Sequence, residues 1–169
     1  VDYRASLPYQ KAFGPRYYSQ NIGDVHYVFL DNIEYINDPL KAESYPGITG
    51  RRNYHENFTQ EQLDWLRKDL ANVKYDTPVV VSMHCPLLRW KNNDGTAYRF
   101  KPEAKSSREL VSILKPYKNV HTFSGHSHRQ CLVRMPEEAQ NLMDHNISGA
   151  CGAWWRTRGT GLQKLCPDG

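Results

Sequence analysis

The segment "VHTFSGHSH" places His126 and His128 one residue apart, directly after Gly125 and at the end of an apolar run. A third histidine, His84, closes the run "PVVVSMH". Neutral imidazole is the commonest protein metal ligand. Residues i and i+2 of extended chain point to opposite sides, so His126 and His128 are poorly placed to grip one ion together. They could instead serve two ions roughly 3.5–4 Å apart, one histidine each. Gly125 allows the backbone to turn sharply and approach closely. We therefore expect His84, His126 and His128 to be metal ligands.

Other candidates are weaker. Asp31, after "YVFL", is the only acid at a suitable strand end, and it reads as a hydrogen-bonding residue rather than a ligand. Cys85 reads as a buried, inert thiol beside Pro86 rather than a thiolate donor. His26, His55, His121 and His145 read as structural or surface histidines. Arg89 follows the His84 segment and Arg129 follows the histidine pair. A guanidinium at either place can hold a phosphate through two parallel hydrogen bonds, which makes both candidate substrate-binding residues; the bland alternative is an exposed loop arginine.

These residues need elements to position them. "RYYSQNIGDVHYVFLDN" predicts a β-hairpin, with strands over residues 17–21 and 25–30 and a turn at Gly23 and Asp24. Residues 32–58 read as a long irregular loop. "TQEQLDWLRKDLANV" predicts a helix, with Thr59 as N-cap, a Thr59–Gln62 capping box, and Leu63, Leu66 and Leu70 on one face. "TPVVVSMHCPL" predicts a buried strand running from Pro78 to His84. A second loop, "WKNNDGTAYRFKPEAK", leads to a helix capped by Ser106 or Ser107, with Leu110, Ile113 and Leu114 buried. "NVHTFSGHSH", "RQCLVRM" and "HNISGA" read as three further strands. Helices alternating with buried strands predict an α/β fold. In such sheets ligands sit at the carboxyl ends of strands, where His84, His126, His128 and Asp31 all fall.

The bulk numbers set limits. The chain has 169 residues, 39% hydrophobic and 24% charged, which suits one domain. No apolar run approaches the roughly 18–20 residues of a membrane span. A net charge of +4 is mild enough to help attract an anion and too dispersed for a nucleic-acid track. Arg51, Arg52 and the nearby tyrosines are the densest basic segment, and they argue only weakly for DNA or RNA. The four cysteines, Cys85, Cys131, Cys151 and Cys166, form no C-x-x-C pair. Free buried thiols are expected, with a Cys151–Cys166 bridge only in an exported protein. The chain starts without Met and ends abruptly at "LCPDG", so we expect an excerpt of a longer polypeptide.

On these motifs the sequence resembles the calcineurin-like metallophosphoesterases. "VVVSMHCPL" resembles the superfamily's single-histidine motif, and "SGHSH" its Gly-His-X-His motif. "FGPRYYSQNIGDVHYVFLDN" and "HNISGACGAWW" are similar to a bacterial branch with extra flanking domains. The resemblance implies an α/β fold of αββα sandwich type, of which residues 1–150 are the C-terminal half and 151–169 the start of a linker or extension. It implies two divalent ions (Mn, Zn or Fe) that activate water for hydrolysis of phosphate mono- or diesters. His84 and His126 would bind one ion and His128 the other. The family's Asp-X-His, Gly-Asp and Gly-Asn-His motifs precede this segment and match no residue here. We therefore assign no catalytic side chain and expect a fragment inactive, and with no metal bound, by itself. A non-catalytic binding module on a degenerate phosphoesterase fold is the competing expectation. The expected partner is a phosphorylated small-molecule or macromolecular substrate, with no specific nucleic acid and no membrane span. An apolar sheet face left open in half a sandwich predicts a homodimer through that face. The parent is expected to be exported, periplasmic or extracellular.

Overall fold

A computed structural model describes residues 6–35, 54–90, 98–100, 104–126, 131–134 and 139–147. The described helices are α1 (Ser6–Phe13), α2 (Gln60–Leu70) and α3 (Ala104–Leu114). The strands are β1 (Tyr18–Ile22), β2 (Val25–Phe29), β3 (Ile33–Tyr35), β4 (Tyr54–Glu56), β5 (Val79–Ser82), β6 (Leu88–Trp90), β7 (Tyr98–Phe100), β8 (Val120–Ser124), β9 (Cys131–Arg134) and β10 (Leu142–Asn146). The chain is mixed α/β, with a mostly parallel sheet. No helix among the described residues is long and apolar enough to cross a membrane.

Six strands form one sheet in the order β1-β2-β5-β8-β10-β9. Strands β2, β5, β8 and β10 pair in parallel, and β1 and β9 close the two edges antiparallel. The β1–β2 hairpin forms as expected, with Ile22 opposite Val25 and only Gly23 and Asp24 between them. Gly23 has φ +58, the conformation that a two-residue hairpin with glycine at its first central position requires.

Alternation along the strands sorts side chains onto two faces. Val28, Val79, Val81, Val120 and Leu142 form one buried core with Leu63, Leu66 and Leu70 of α2 and Leu110 and Leu114 of α3. Each such side chain, fully buried, contributes roughly 1.5–3 kcal/mol relative to exposure. On the opposite face Tyr27, Val80, Phe123 and Met143 are only half-buried. His26 lies on the core face, as a structural histidine. Its Nδ1 meets Asn21 Oδ1 at 2.7 Å and its Nε2 meets Asp69 Oδ2 at 2.9 Å. Ser19 donates to the other Asp69 oxygen at 2.6 Å. The hairpin is thereby tied to the last turn of α2.

Several local expectations need correction. Helix α1 has no counterpart in the sequence reading; it ends where Gly14, at φ +97, donates its backbone N–H to Gln10 O at 3.0 Å, a left-handed glycine stop. Thr59 caps α2 by accepting from Gln62 N at 3.3 Å, but the Gln62 side chain bonds the Asp31 backbone instead of completing a capping box. Helix α3 starts at Ala104, so Ser106 and Ser107 lie inside it and do not cap it. Leu110 and Leu114 are buried as expected, with Ile113 packed against the core. The two long loops are not wholly irregular. Ile33, Glu34 and Tyr35 pair with Glu56, His55 and Tyr54, and β6 pairs with β7.

One face carries a pH-sensitive contact. His121 Nδ1 and His145 Nε2 lie 2.8 Å apart, and Phe123 stacks on His145 with ring centroids 4.5 Å apart. Burial, and secondarily the charge of His121, hold the His145 imidazole below the ordinary histidine value of 6.5. The unfolded chain therefore takes up the proton first as pH falls through 6.5. The native state loses stability from there down to the lowered folded value. In urea unfolding at pH 7 and pH 5, the midpoint of the unsubstituted chain should fall further than that of His145→Phe. An equal fall in both proteins would show that His145 carries none of this dependence.

Candidate metal centre

Strands β2, β5 and β8 end at one edge of the sheet, because they are parallel neighbours. Their hydrogen bonding continues past the strands. Leu30 N donates to Ser82 O at 2.9 Å, Met83 N to Phe123 O at 2.9 Å, and Gly125 N to His84 O at 3.0 Å. This extended ladder holds the segments carrying Asp31, His84 and His126 side by side.

His126 Nδ1 lies 3.0 Å from His84 Nε2, with the rings edge to face at a centroid distance of 4.9 Å. His126 adopts φ +60, a left-handed conformation unusual outside glycine and costing of order 1–2 kcal/mol. The sharp turn expected at Gly125 therefore occurs at His126, and the chain is not extended there. The premise that the pair points to opposite sides of a straight strand fails at this residue. His128 and Arg129 lie outside the described residues. Arg89 sits in β6 opposite Arg99, with its side chain outside what is described.

Cys85 follows His84 and is completely buried. Donor atoms of His84, Cys85 and His126 all lie within 4.8 Å of one another, a group that could hold a metal ion. The nitrogen spacing fits such use. With metal–nitrogen bonds of about 2.1 Å, two donors at right angles stand about 3.0 Å apart and two tetrahedral donors about 3.4 Å. The observed 3.0 Å needs a shift of a few tenths of an ångström at most. Cys85, set aside in the sequence as an inert thiol, thus belongs to the group.

The backbone beneath these donors is clamped. Asn32, itself buried, donates Nδ2–H to Cys85 O at 2.7 Å and accepts from Cys85 N at 3.0 Å. Gln62 does the same for Asp31, accepting from its N and donating to its O, both at 2.8 Å. The Asp31 carboxylate accepts from Arg16 Nε at 2.6 Å and from Ile33 N at 2.9 Å. Asp31 is thus the strand-end hydrogen-bonding residue that the sequence suggested.

One neighbour of the centre was not singled out in the sequence. Glu56, only 7% exposed, sets Oε1 3.0 Å from His126 Nε2. It arrives on β4, opposite Ile33, and Asn57 N donates to Asn32 O at 3.1 Å to dock the strand. Only the pairing of β3 with β4 reveals it, since nothing in local spacing connects Glu56 to a histidine so far along the chain.

Comparison of the sequence with protein-family models and with curated proteins returns no significant match.

The Asn32 clamp makes a direct prediction. Asn32→Ala removes the side-chain partner of two backbone groups of a buried residue, so denaturant unfolding should show a loss of about 1–3 kcal/mol. A change within about 0.5 kcal/mol, the range of ordinary surface substitutions, would mean the clamp does not hold the Cys85 backbone.

Proposed function

We propose that this chain carries part of the centre of a metal-dependent phosphoesterase, acting on phosphate mono- or diesters. The observation supporting it is the convergence of His84 and His126, from loops after two parallel strands, into one pair 3.0 Å apart at the carboxyl edge of the sheet. Ligand sites in open α/β sheets occupy that edge. The motifs that resemble the calcineurin-like superfamily are the same residues, and this gives the reaction class.

In this proposal His84 and His126 present nitrogen lone pairs to one ion, with Cys85 as the adjacent sulfur donor. His128 serves a second ion, completed by ligands from an upstream half. Divalent ions so held would polarise phosphoryl oxygen and make water a nucleophile near neutral pH. Mn, Zn and Fe all suit histidine with carboxylate and water, and a thiolate contribution would disfavour Mn. Arg89 and Arg129 would bind phosphate oxygens. The half-buried sheet face would receive the second sheet of an αββα sandwich, or a second copy of the chain when that sheet is missing.

The test compares this chain with a polypeptide extended upstream, each supplied with Mn or Zn and generic phosphate mono- and diesters. Metal-dependent hydrolysis is expected in the longer polypeptide and should drop to background on His84→Ala, His126→Ala or His128→Ala. Absence of hydrolysis in both, with metal supplied, would replace this proposal with the non-catalytic binding module.

A further inference from the structure

Imidazole has two nitrogens on different edges of the ring, and in His126 each edge has a distinct neighbour. Nδ1 faces His84 Nε2 at 3.0 Å, and Nε2 faces Glu56 Oε1 at 3.0 Å. An ionised carboxylate only accepts hydrogen bonds. With Glu56 ionised, Nε2 of His126 carries the proton, and in the neutral ring the lone pair is left on Nδ1. Nδ1 is the edge that faces His84, a member of the His84–Cys85–His126 group.

We infer that Glu56 is the positioning residue for His126: it fixes the ring's tautomer and orientation so that Nδ1, not Nε2, is the metal donor. This rests on the metal reading of His84 and His126 and extends it to a residue that the family motifs did not indicate. Glu56 is not itself a ligand to the same ion. Its oxygen meets the ring edge opposite to the one that His84 meets, and it is not part of the donor group lying within 4.8 Å. A metal-bound histidine whose second nitrogen donates to a carboxylate has a fixed tautomer and a more basic donor atom. The fold is arranged to deliver this carboxylate. Glu56 ends β4 opposite Ile33, beside the Asn32 that clamps Cys85.

The test reads the His126 ring nitrogens by long-range ¹H–¹⁵N correlation in the ¹⁵N-labelled polypeptide extended upstream, the parent protein, with and without Zn(II), and Zn(II) affinity by calorimetry. In the parent protein, His126 should be protonated at Nε2 before Zn(II), and its Nδ1 resonance should move on Zn(II) addition. Glu56→Gln, which keeps shape and an acceptor oxygen, should weaken Zn(II) binding about tenfold, and Glu56→Ala about 10–100-fold. Both variants should gain the Nδ1-protonated tautomer. Parent protein with His126 protonated at Nδ1 would overturn the inference without any variant having to fold. So would Zn(II) binding that both variants match within twofold, and the metal reading would survive either result. If the parent takes up no Zn(II) and neither His84 nor His126 shifts, the metal reading fails, and the Glu56 inference falls with it.

Discussion

The centre depends on the register between β5 and β8. His84 and His126 are 42 residues apart in sequence and meet only because Ser82 stands opposite Phe123. The ladder then runs on through Met83 N to Phe123 O and Gly125 N to His84 O. Parallel strands cannot be joined by a tight turn and need a crossover, usually a helix. Here α2 lies between β2 and β5 in the chain, and α3 between β5 and β8. The leucines of both helices pack on the valines of the three strands. A slip of one residue in β5 would turn Val79 and Val81 out of the core and separate the two imidazoles. The apolar packing therefore specifies a polar site from which it is otherwise separate.

Beyond Leu30 and His84 the ladder runs out, and two side-chain amides take its place. Asn32 and Gln62 each satisfy the N–H and the C=O of one loop residue, Cys85 and Asp31. A buried backbone group without a partner is costly, so loops this close to the core need such substitutes. The consequence is stiffness. His84 is followed by a residue whose backbone is held at both polar atoms, and His126 is held by Gly125 on one side and Glu56 on the other. The left-handed backbone at His126 is a local strain of the kind that persists only where its surroundings over-determine it. Gly125 itself adds no such requirement, since a Cβ there would meet nothing within 4 Å.

What the sequence disclosed followed range. Turn residues Gly23 and Asp24 between two strand-like runs exposed the β1–β2 hairpin, a β-branched run opened by Pro78 exposed β5, and the helical spacing of Leu63, Leu66 and Leu70 exposed α2. His84 and His126 at strand ends were legible because a strand's end is marked locally, by proline and glycine. Helix α1 was not, since Leu7, Tyr9 and Phe13 are all exposed and mark no buried face. The start of α3 was misread because serine suggests a cap, whereas packing of Leu110, Val111 and Leu114 carries the helix on through Ser107, which is buried. Gln62 was assigned to its own helix terminus and is used 31 residues away, at Asp31. Glu56 belongs with these non-local cases. A three-residue strand such as β4 has too little periodicity to announce itself, and the pairing that gives it meaning is a tertiary fact.

The three donors differ in exposure, and this divides their roles. Cys85 is buried, His126 is intermediate, and His84 is exposed, so the centre opens to solvent on the His84 side. In the inferred tautomer, with Nε2 of His126 donating to Glu56, its Nδ1 accepts, and the 3.0 Å contact between the rings requires a proton on His84 Nε2. Both nitrogens cannot give lone pairs to one ion while that proton stays. His84, at the solvent edge, can move its proton to the other ring nitrogen, with water to carry it. His126 cannot do so without turning a bare nitrogen toward a buried carboxylate, which leaves two acceptors facing each other. Exposure thus assigns the adjustable part to His84 and the fixed part to His126, and the buried carboxylate keeps the fixed part fixed.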